Sequence, residues 1–306
     1  MIVREVVPEA MAGERVDRIV AMITGISRSE VASLVAAGVV LVDGVVVQSK
    51  SDRLVVDSVV EVDVPDREEA ARLVAEPEVI VPVIYEDDDL LVIDKPAGLV
   101  VHPGAGQRTG TLVQGLLAHY PELVGVGVDQ ARPGIVHRLD KGTSGLLLVA
   151  RTSTAYEALV AALAARSVHR RYRALAWGTF EATRGLIDAP IGRSMREPTR
   201  QAIDERGKEA RTRYEVLTSF TEPVAVTELA CTLETGRTHQ IRVHLRSIGH
   251  AVVGDNRYDG ARESLPMARP FLHAELLELA HPVTREPVSF SSPLPADLVE
   301  VLGRLR

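Results

Sequence analysis

The sequence predicts an α+β protein whose main sheet is mostly antiparallel, with a smaller α/β domain in front of it. Helical and strand-like segments follow one another irregularly over most of the chain, without the β-α-β repeat of a parallel, doubly wound sheet. A Pro-bounded acidic stretch at residues 65–82, with a short helical centre at residues 68–74, indicates a linker. We therefore expect two domains, residues 1–75 and residues 76–306.

The N-terminal domain is predicted to contain two helices and a hairpin. Residues 14–23 carry apolar side chains at helical spacing, and the capping-box pattern at residues 27–30 begins a second helix that Gly38 ends. Asp43-Gly44 between valine-rich runs is a strong signal for a two-residue hairpin turn. Residues 58–64 alternate in polarity and are expected to form a further strand.

The larger domain is predicted to mix strands with helices. Segments typical of strands are residues 135–136 (the end of one), 146–150, 171–177, 211–217, 225–233 and 271–279. A capping box at residues 154–157 opens an alanine-rich helix that runs to about residue 165. Residues 238–248 are expected to form another helix, which Gly249 ends.

Composition indicates a soluble, cytoplasmic globular protein. Hydrophobic residues make up 46% and charged residues 25% of the 306 residues, which is enough to bury a core. No apolar run approaches the length of a membrane span, and the first residues lack the pattern of a secretory signal. The single cysteine, Cys231, can form neither an intrachain disulfide nor a thiolate metal cluster, so we expect a buried inert thiol.

Charge is distributed unevenly along the chain. The net charge of -7 argues by itself against a nucleic-acid ligand. Residues 1–80, however, carry 8 basic and 15 acidic residues, whereas the remainder carries 27 of each. Within that remainder, residues 137–213 hold 15 basic and 8 acidic residues. This segment suits a phosphate-rich ligand, although charge alone favours a solvated mixed-charge surface.

Asp140 is the residue that most strongly indicates chemistry. It lies in a charged, glycine-punctuated turn between the strand-like residues 135–136 and the continuous aliphatic run at residues 146–150. A carboxylate held at the end of a core strand is a candidate catalytic group. The alternative is a surface turn in which Asp140 forms a local pair with Arg138.

The turn around Asp140 resembles the signature of the RluA/RluD family of RNA pseudouridine synthases. Residues 137–147 read His-Arg-Leu-Asp-Lys-Gly-Thr-Ser-Gly-Leu-Leu, against the family's His-Arg-Leu-Asp-x-x-Thr-Ser-Gly-Leu-Leu. Further matching blocks follow the family's order at residues 85–104, 171–175 and 236–245, and then at Gly249-His250 and Gly254-Asp255. The resemblance covers roughly residues 81–284, and as an ordered set of motifs it is highly specific.

Two positions depart from the family pattern. Relatives often carry Asp at the position of Gly142, and they favour Lys where this chain has Arg170. Neither residue has a chemical role in the resemblance. The resemblance implies a pseudouridine synthase fold for residues 76–306, and two helices followed by a hairpin look like the S4-like RNA-binding domain that commonly precedes it.

The resemblance also implies a reaction and three catalytic residues. Pseudouridine formation breaks a C–N glycosidic bond, turns the uracil and joins its C5 to C1′ of the ribose, without a metal or an organic cofactor. Asp140 would attack C1′, or would instead remove the 2′ proton, and these two routes stay open. Arg242 would pair with Asp140, and Tyr172 would pack on the target base and assist proton removal from C5. The residues alone also fit a surface arginine and a tyrosine packed in a core.

Three further residues are candidate substrate-binding residues, namely Arg138, His137 and Ile241. Arg138 would contact a phosphate or help turn the nucleotide out of its stack, since the glycosidic bond is unreachable in a stacked helix. No metal site is expected, because His239 and His244 are five residues apart rather than the four of a zinc-binding helix. We expect these two histidines to cap or pack.

The sequence thus predicts an RNA-uridine isomerase, acting as a monomer on RNA, with 23S-type large-subunit ribosomal RNA as the expected substrate. A non-catalytic RNA-binding or ribosome-assembly protein on the same fold is the alternative. A glycoside hydrolase is a third possibility, but it requires a second acid at a suitable distance. Aromatic residues that would stack on sugars are also sparse, at 4% of the chain.

Overall fold

The structure is a computed structural model that describes residues 2–26, 28–64, 73–104 and 106–306. The chain divides into two compact units, Met1–Arg72 and Leu73–Arg306. The division falls three residues before the boundary expected from the sequence. Most of the predicted helical centre of the linker, at residues 68–74, lies outside the described residues.

The described part of the first unit contains two α-helices and a four-stranded antiparallel sheet in the order β1-β4-β2-β3. Its elements are β1 (Ile2–Val6), α1 (Val16–Thr24), α2 (Arg28–Ala36), β2 (Val40–Val42), β3 (Val45–Val46) and β4 (Val59–Asp63). Asp43 and Gly44 have φ values of 51° and 79°, the left-handed pair that the predicted hairpin turn requires. Both helices, the hairpin and β4 are therefore confirmed.

Two features of the first unit were not predicted. Strand β1 was missed because its side chains are mostly exposed and give no alternating pattern. Arg28, at the start of α2, donates a hydrogen bond of 2.8 Å to Asp17, which also accepts from Arg15. These arginines lower the pKa of the buried Asp17 carboxyl to about 2. The predicted capping box includes Ser27, which lies outside the described residues.

The second unit is built on one large mixed sheet. Its strands are β5 (Val83–Glu86), β6 (Leu90–Lys95), β7 (Ser144–Ala150), β8 (His169–Trp177), β9 (Arg184–Asp188), β10 (Ile191–Arg193), β11 (Gln201–Ile203), β12 (Arg211–Phe220), β13 (Val226–Leu233), β14 (Leu272–Ala280) and β15 (Pro287–Ser291). Its helices are α3 (Leu112–His119), α4 (Ser153–Ala164), α5 (Gln240–Ser247) and α6 (Ala296–Leu302).

The large sheet has the strand order β5-β6-β7-β14-β8-β13-β12-β9, with β15 added on β14, and β10 pairs with β11 separately. Among the described pairings of this sheet, β7 with β14 is parallel and the others are antiparallel. The predicted α+β class with a mostly antiparallel sheet is confirmed. Strand β7 is buried along its whole length, as its continuous aliphatic sequence indicates.

Two local predictions for the second unit are wrong. Residues 135–136 do not end a strand, because Ile135 forms only an isolated bridge to Val149. The cap of α4 is Thr152 rather than Thr154, since the Thr152 hydroxyl accepts a hydrogen bond from the backbone N–H of Ala155 at 3.2 Å. The two threonines give the same local signal, and only the backbone trace selects between them.

Glycine is required where β7 enters the sheet. Gly145 has a φ of 106° and pairs with Ala274 of β14, and a Cβ atom there would overlap the Ala274 backbone. Only glycine combines this backbone conformation with so close an approach. Gly145 thus fixes the path of the chain just after the Asp140 turn.

Cys231, on β13, is fully buried, and burial raises the pKa of its thiol to about 12, which confirms the inert thiol.

Candidate active site

A cavity of about 670 Å³ opens between three segments of the second unit. The first is the turn that leads into β7, the second is the start of β8, and the third runs from the end of β13 into the first turn of α5. The predicted site residues Asp140, Tyr172, Arg242, Arg138, His137 and Ile241 all line it. The fold thus brings together every residue that the motifs selected.

Asp140 is held by an arginine from a distant part of the chain. Nη1 of Arg242 donates a hydrogen bond of 3.0 Å to Oδ2 of Asp140, whose side chain keeps 16% of its surface exposed. The predicted partnership of these two residues is present in the geometry. The alternative, a local pair between Asp140 and Arg138, is wrong: no such bond is found among the described residues, and Arg138 is exposed.

Arg242 is itself anchored by a second carboxylate. Its Nε and Nη2 donate to the two oxygens of Asp255 at 2.6 and 2.8 Å, which is the bidentate geometry that guanidinium groups favour. Asp255 is fully buried and also accepts from the backbone N–H groups of Arg257 and Tyr258. Burial disfavours the charged form of Arg242, but the hydrogen bonds and charges of Asp255 and Asp140 raise its pKa overall.

This chain of bonds orients the Asp140 carboxylate. A fixed guanidinium occupies Oδ2, whereas Oδ1 accepts no hydrogen bond among the described residues. Arg242 lies in the first turn of α5 and is only 7% exposed, so its position is set by the helix and by Asp255 rather than by solvent. Such pre-orientation of a charged group is what an active site requires.

His239 approaches the free side of Asp140. Its Nε2 lies 3.9 Å from Oδ1 of Asp140, and its Nδ1 is 2.7 Å from the hydroxyl of Tyr258. That hydroxyl accepts a hydrogen bond from the backbone N–H of Gln201, so its own proton is free to point at Nδ1. Burial lowers the pKa of His239, which favours a neutral ring.

The two histidines of this segment therefore differ. His244 packs as expected, with Nδ1 on the hydroxyl of Thr212 at 2.8 Å and Nε2 on the carbonyl of Ala189 at 2.9 Å. His239 occupies the N-cap position of α5 with a φ of 58°, but its side chain makes no capping bond. Its ring lines the cavity and packs edge-on against the ring of Tyr258, so the capping role is wrong for His239 and the packing role is confirmed.

Tyr172 forms part of the cavity wall from β8. It is 6% exposed, and burial raises the pKa of its hydroxyl to about 12. At neutral pH it is therefore a phenol, which can donate a hydrogen bond but carries no negative charge. Arg170, two residues earlier on the same strand, is equally buried and also lines the cavity.

The remaining predicted site residues differ in burial and in hydrogen bonding. Nε2 of His137 accepts the backbone N–H of Leu148 at 3.0 Å, so this ring ties the Asp140 turn to β7. Burial lowers the pKa of His137 to about 3, which keeps the ring neutral. Arg138 is exposed at the rim, and Ile241 is 3% exposed in the first turn of α5.

Lys95 is a buried cation close to the site. It is fully buried at the end of β6, and its Nζ donates to the carbonyls of Pro96 and Leu99 at 2.8 and 2.9 Å. Burial lowers its pKa to about 7, although the nearby charge of Asp140 works in the opposite direction. The Lys-Pro-Ala-Gly block of the sequence thus supplies a titratable group close to the Asp140 turn.

The cavity has a positive lining. Arginine side chains at six positions reach it, namely Arg132, Arg138, Arg166, Arg170, Arg237 and Arg242, against carboxylates at Asp140, Glu209 and Glu234. This excess suits a polyanionic substrate, and it agrees with the basic segment seen in the sequence.

In the described part of the chain, no group of three or more His, Cys, Asp or Glu side chains could hold a metal ion. No described helix is long and apolar enough to cross a membrane.

Sequence reasoning missed four residues of this site. Asp255 was part of a matched motif but had no assigned role, and Tyr258 had no local signal at all. Lys95 was part of the first motif block, and Arg170 was noted only as a departure from the family pattern. A motif that contains a charged residue without an assigned partner is the signal that could have found Asp255 and Lys95.

The second unit, with its mostly antiparallel sheet and a buried arginine that holds one carboxylate in a basic cavity, fits the class of enzymes that modify RNA. Residues 89–247 match the family model described as RNA pseudouridylate synthase. The chain belongs to this family, and the resemblance drawn from the motifs is confirmed.

Relatives match over nearly the whole chain. The Bacillus subtilis protein called "Uncharacterized RNA pseudouridine synthase YlyB" is 43% identical over 97% of this chain and 96% of its own length. The ribosomal large subunit pseudouridine synthase D of Pseudomonas aeruginosa is 42% identical over 98% of this chain and 94% of its own length.

Solved structures show the same fold. The human RNA pseudouridylate synthase domain containing 1 aligns with a TM-score of 0.56 and 29% identity, over 71% of this chain and 84% of the human chain. The human RNA pseudouridylate synthase domain containing 4 aligns with a TM-score of 0.55 and 25% identity, over 74% of this chain and 94% of the human chain.

Proposed function

We propose that this pseudouridine synthase modifies uridines of large-subunit ribosomal RNA, with Asp140 as its catalytic carboxylate. The observation that carries the assignment of Asp140 is its position: Arg242 donates to one of its oxygens, and its side chain lines a basic cavity. The name of the relative from Pseudomonas aeruginosa supports the choice of RNA. Such a substrate also places the protein in the cytoplasm, where we expect it to act as a monomer.

The proposed roles follow from the geometry. Asp140 attacks C1′ of the target nucleotide or removes its 2′ proton, and both routes need the carboxylate that Arg242 orients. Tyr172, protonated and buried, packs against the uracil and directs its hydroxyl at the reacting base. Exposed Arg138 contacts phosphate or fills the space left when the nucleotide turns out of its stack. Ile241 and His137 shape the wall around the base.

Replacing Asp140 tests the proposal directly. The Asp140→Asn variant keeps the size of the side chain and one hydrogen-bond acceptor but removes the charge, so we expect no detectable isomerisation with RNA affinity within about twofold of the wild type. Tritium release from C5-labelled uridine in large-subunit ribosomal RNA measures the reaction. The matched control is Asp259→Asn, because Asp259 also pairs with an arginine of α5 but is exposed and does not line the cavity.

Two outcomes would contradict the proposal. Substantial turnover by a folded Asp140→Asn protein would exclude Asp140 as the catalytic group. Tight RNA binding by the wild type, without tritium release from any large-subunit RNA, would support a non-catalytic RNA-binding protein instead. Mapping pseudouridines in total RNA from cells with and without this protein would then identify the modified position, or show that the substrate is another RNA.

We further propose that the first unit is an S4-like RNA-binding domain. Its order of two helices followed by a hairpin supports this assignment. Because residues 1–80 are net acidic, we expect it to recognise the shape of folded RNA rather than to attract phosphate broadly. Arg28 is engaged with Asp17, yet 56% of its side chain is exposed, so it can still reach an RNA.

A further inference from the structure

Strand β8 divides its arginines between two environments. Side chains alternate along a strand, so Arg170 and Tyr172 share the face that lines the cavity. Arg171 lies on the opposite face, where it donates to Glu275 at 2.7 Å. Arg173 also donates to Glu275, at 3.1 Å, and to Glu228 at 2.7 Å. The arginines on the opposite face are thus neutralised by carboxylates.

Arg170 has no such partner. It is only 6% exposed, its Nε is buried without a hydrogen-bond acceptor, and no ion pair links it to any described residue. The guanidinium lies over Gly236, where a Cβ atom would come within 2.8 Å of Nη1. Burial lowers the pKa of Arg170, although nearby Tyr172 works in the opposite direction. A buried unpaired cation destabilises a protein, so a function is the expected reason for its presence.

The position of Arg170 indicates which part of a substrate it meets. Arg138 and Arg237 are exposed at the rim of the cavity, where phosphates of an RNA backbone remain hydrated. Arg170 is buried beside Tyr172, on the wall that the proposed function assigns to the uracil. A desolvated guanidinium at that depth suits a weakly hydrated, delocalised anion better than a phosphate.

We propose that Arg170 is a substrate-contacting residue that donates a hydrogen bond to a carbonyl oxygen of the uracil and stabilises the uracil anion. Breaking the C1′–N1 bond leaves the bonding electron pair on the base, where the charge spreads over N1 and the carbonyl oxygens. This happens whether Asp140 attacks C1′ or removes the 2′ proton. Arg170 takes up no proton and forms no bond; it supplies the positive charge that the separated base needs. The inference rests on the proposed function, because it places the uracil beside Tyr172.

The test combines a charge-removing variant with a substrate whose base leaves more easily. Arg170→Met keeps the length of the side chain, Arg170→Lys keeps its charge, and Arg171→Met is the matched control on the opposite face of β8. Each protein is given large-subunit ribosomal RNA transcribed with uridine or with 5-fluorouridine. Fluorine withdraws electrons and so stabilises the departing anion. Single-turnover loss of the target nucleoside, measured by chromatography after digestion, is compared with the dissociation constant from filter binding.

We expect Arg170→Met to react about 100-fold more slowly on uridine, in the range found for loss of one anion-stabilising donor. The loss should be at least tenfold smaller on 5-fluorouridine, with the dissociation constant unchanged within about threefold. Arg170→Lys should fall between the wild type and Arg170→Met, and Arg171→Met should match the wild type. Because a buried unpaired cation is removed, Arg170→Met should also melt at the same temperature as the wild type or higher, which shows that it is folded.

Three results would overturn the inference. Weaker RNA binding with an unchanged rate at saturation would make Arg170 a phosphate contact. Equal losses on both RNAs would leave it a packing residue, and an unchanged rate would remove it from the reaction. Asp140→Asn, assayed in parallel, separates the two proposals: it should be inactive on both RNAs. If it were active, the role of Asp140 would fail while the comparison of the Arg170 variants would stand.

Discussion

Arg242 bonds both to the buried Asp255 and to Asp140, the proposed catalytic carboxylate, so its replacement by alanine should reduce both stability and activity. The substitution removes two hydrogen bonds to Asp255, of 2.6 and 2.8 Å, and one of 3.0 Å to Asp140. Asp255 would then be a fully buried carboxylate with only two backbone N–H donors. Removing one partner of a buried ion pair costs about 3–5 kcal/mol, so the free energy of unfolding should fall by about that amount.

The effect on the reaction should be of similar size but of different origin. Without Arg242, the Asp140 carboxylate loses the group that orients it. Loss of one such donor lowers the rate by about 10²–10³-fold, equivalent to roughly 3–4 kcal/mol of barrier. The single-turnover rate should be measured with excess enzyme well below the melting temperature, so that unfolded protein does not contribute.

A double-mutant cycle identifies the source of the stability loss. The free energy of unfolding is measured in urea for Arg242→Ala, Asp255→Ala and the double variant. The double variant should lose about 1–3 kcal/mol less stability than the two single variants lose together. Once both charges are gone, neither is left unpaired. Strictly additive losses would refute the ion-pair argument. A wild-type rate for Arg242→Ala would show that Arg242 does not act on Asp140.

Three further predictions concern other parts of the chain. Tyr172→Phe should bind RNA normally but react about 100-fold more slowly, which is a smaller loss than for Arg242→Ala. The reason is that the ring stays and only a hydroxyl that is protonated at neutral pH is removed. Equal single-turnover rates for Tyr172→Phe and the wild type would exclude a role of the hydroxyl in the reaction. The pKa of Lys95 is about 7 in the folded protein and about 10.4 unfolded, so between these values the unfolded state binds more protons and the stability contributed by this group rises with pH. The free energy of unfolding of Lys95→Met minus that of the wild type should therefore fall as the pH rises from 6 to 9, by at most about 1.4 kcal/mol per pH unit. Urea unfolding measures both free energies. A difference between the two proteins that does not change with pH would contradict the lowered pKa. Removing residues 1–75 should weaken binding to folded ribosomal RNA more than it slows the chemical step, because the first unit tethers the catalytic unit to its substrate. The salt dependence of binding should stay nearly unchanged. Equal affinities of the full-length and the truncated protein for this RNA would refute the tethering role.

Local patterns predicted the elements well where the sequence repeats a regular period. The aliphatic run of β7, the alternation of β8 and β12 and the apolar face of α5 all gave correct elements. Errors arose where two neighbouring residues offer the same local chemistry. Thr152 and Thr154 can both cap α4, and which hydroxyl meets a free backbone N–H depends on where the first turn begins.

The sequence by itself determined the family, the α+β class and the six residues that line the cavity, because these are written in ordered motifs and in the period of apolar side chains. The family resemblance also gave the pairing of Arg242 with Asp140, but only the tertiary structure decided which other groups hold these residues in place. Asp140 and Arg242 are 102 positions apart, and the anchor Asp255 is a further 13 along the chain. No local pattern predicts such a contact, because it depends on how the Asp140 turn and the first turn of α5 approach across the cavity. The same holds for Arg170, since whether a buried charge is neutralised depends on every chain segment packed around it.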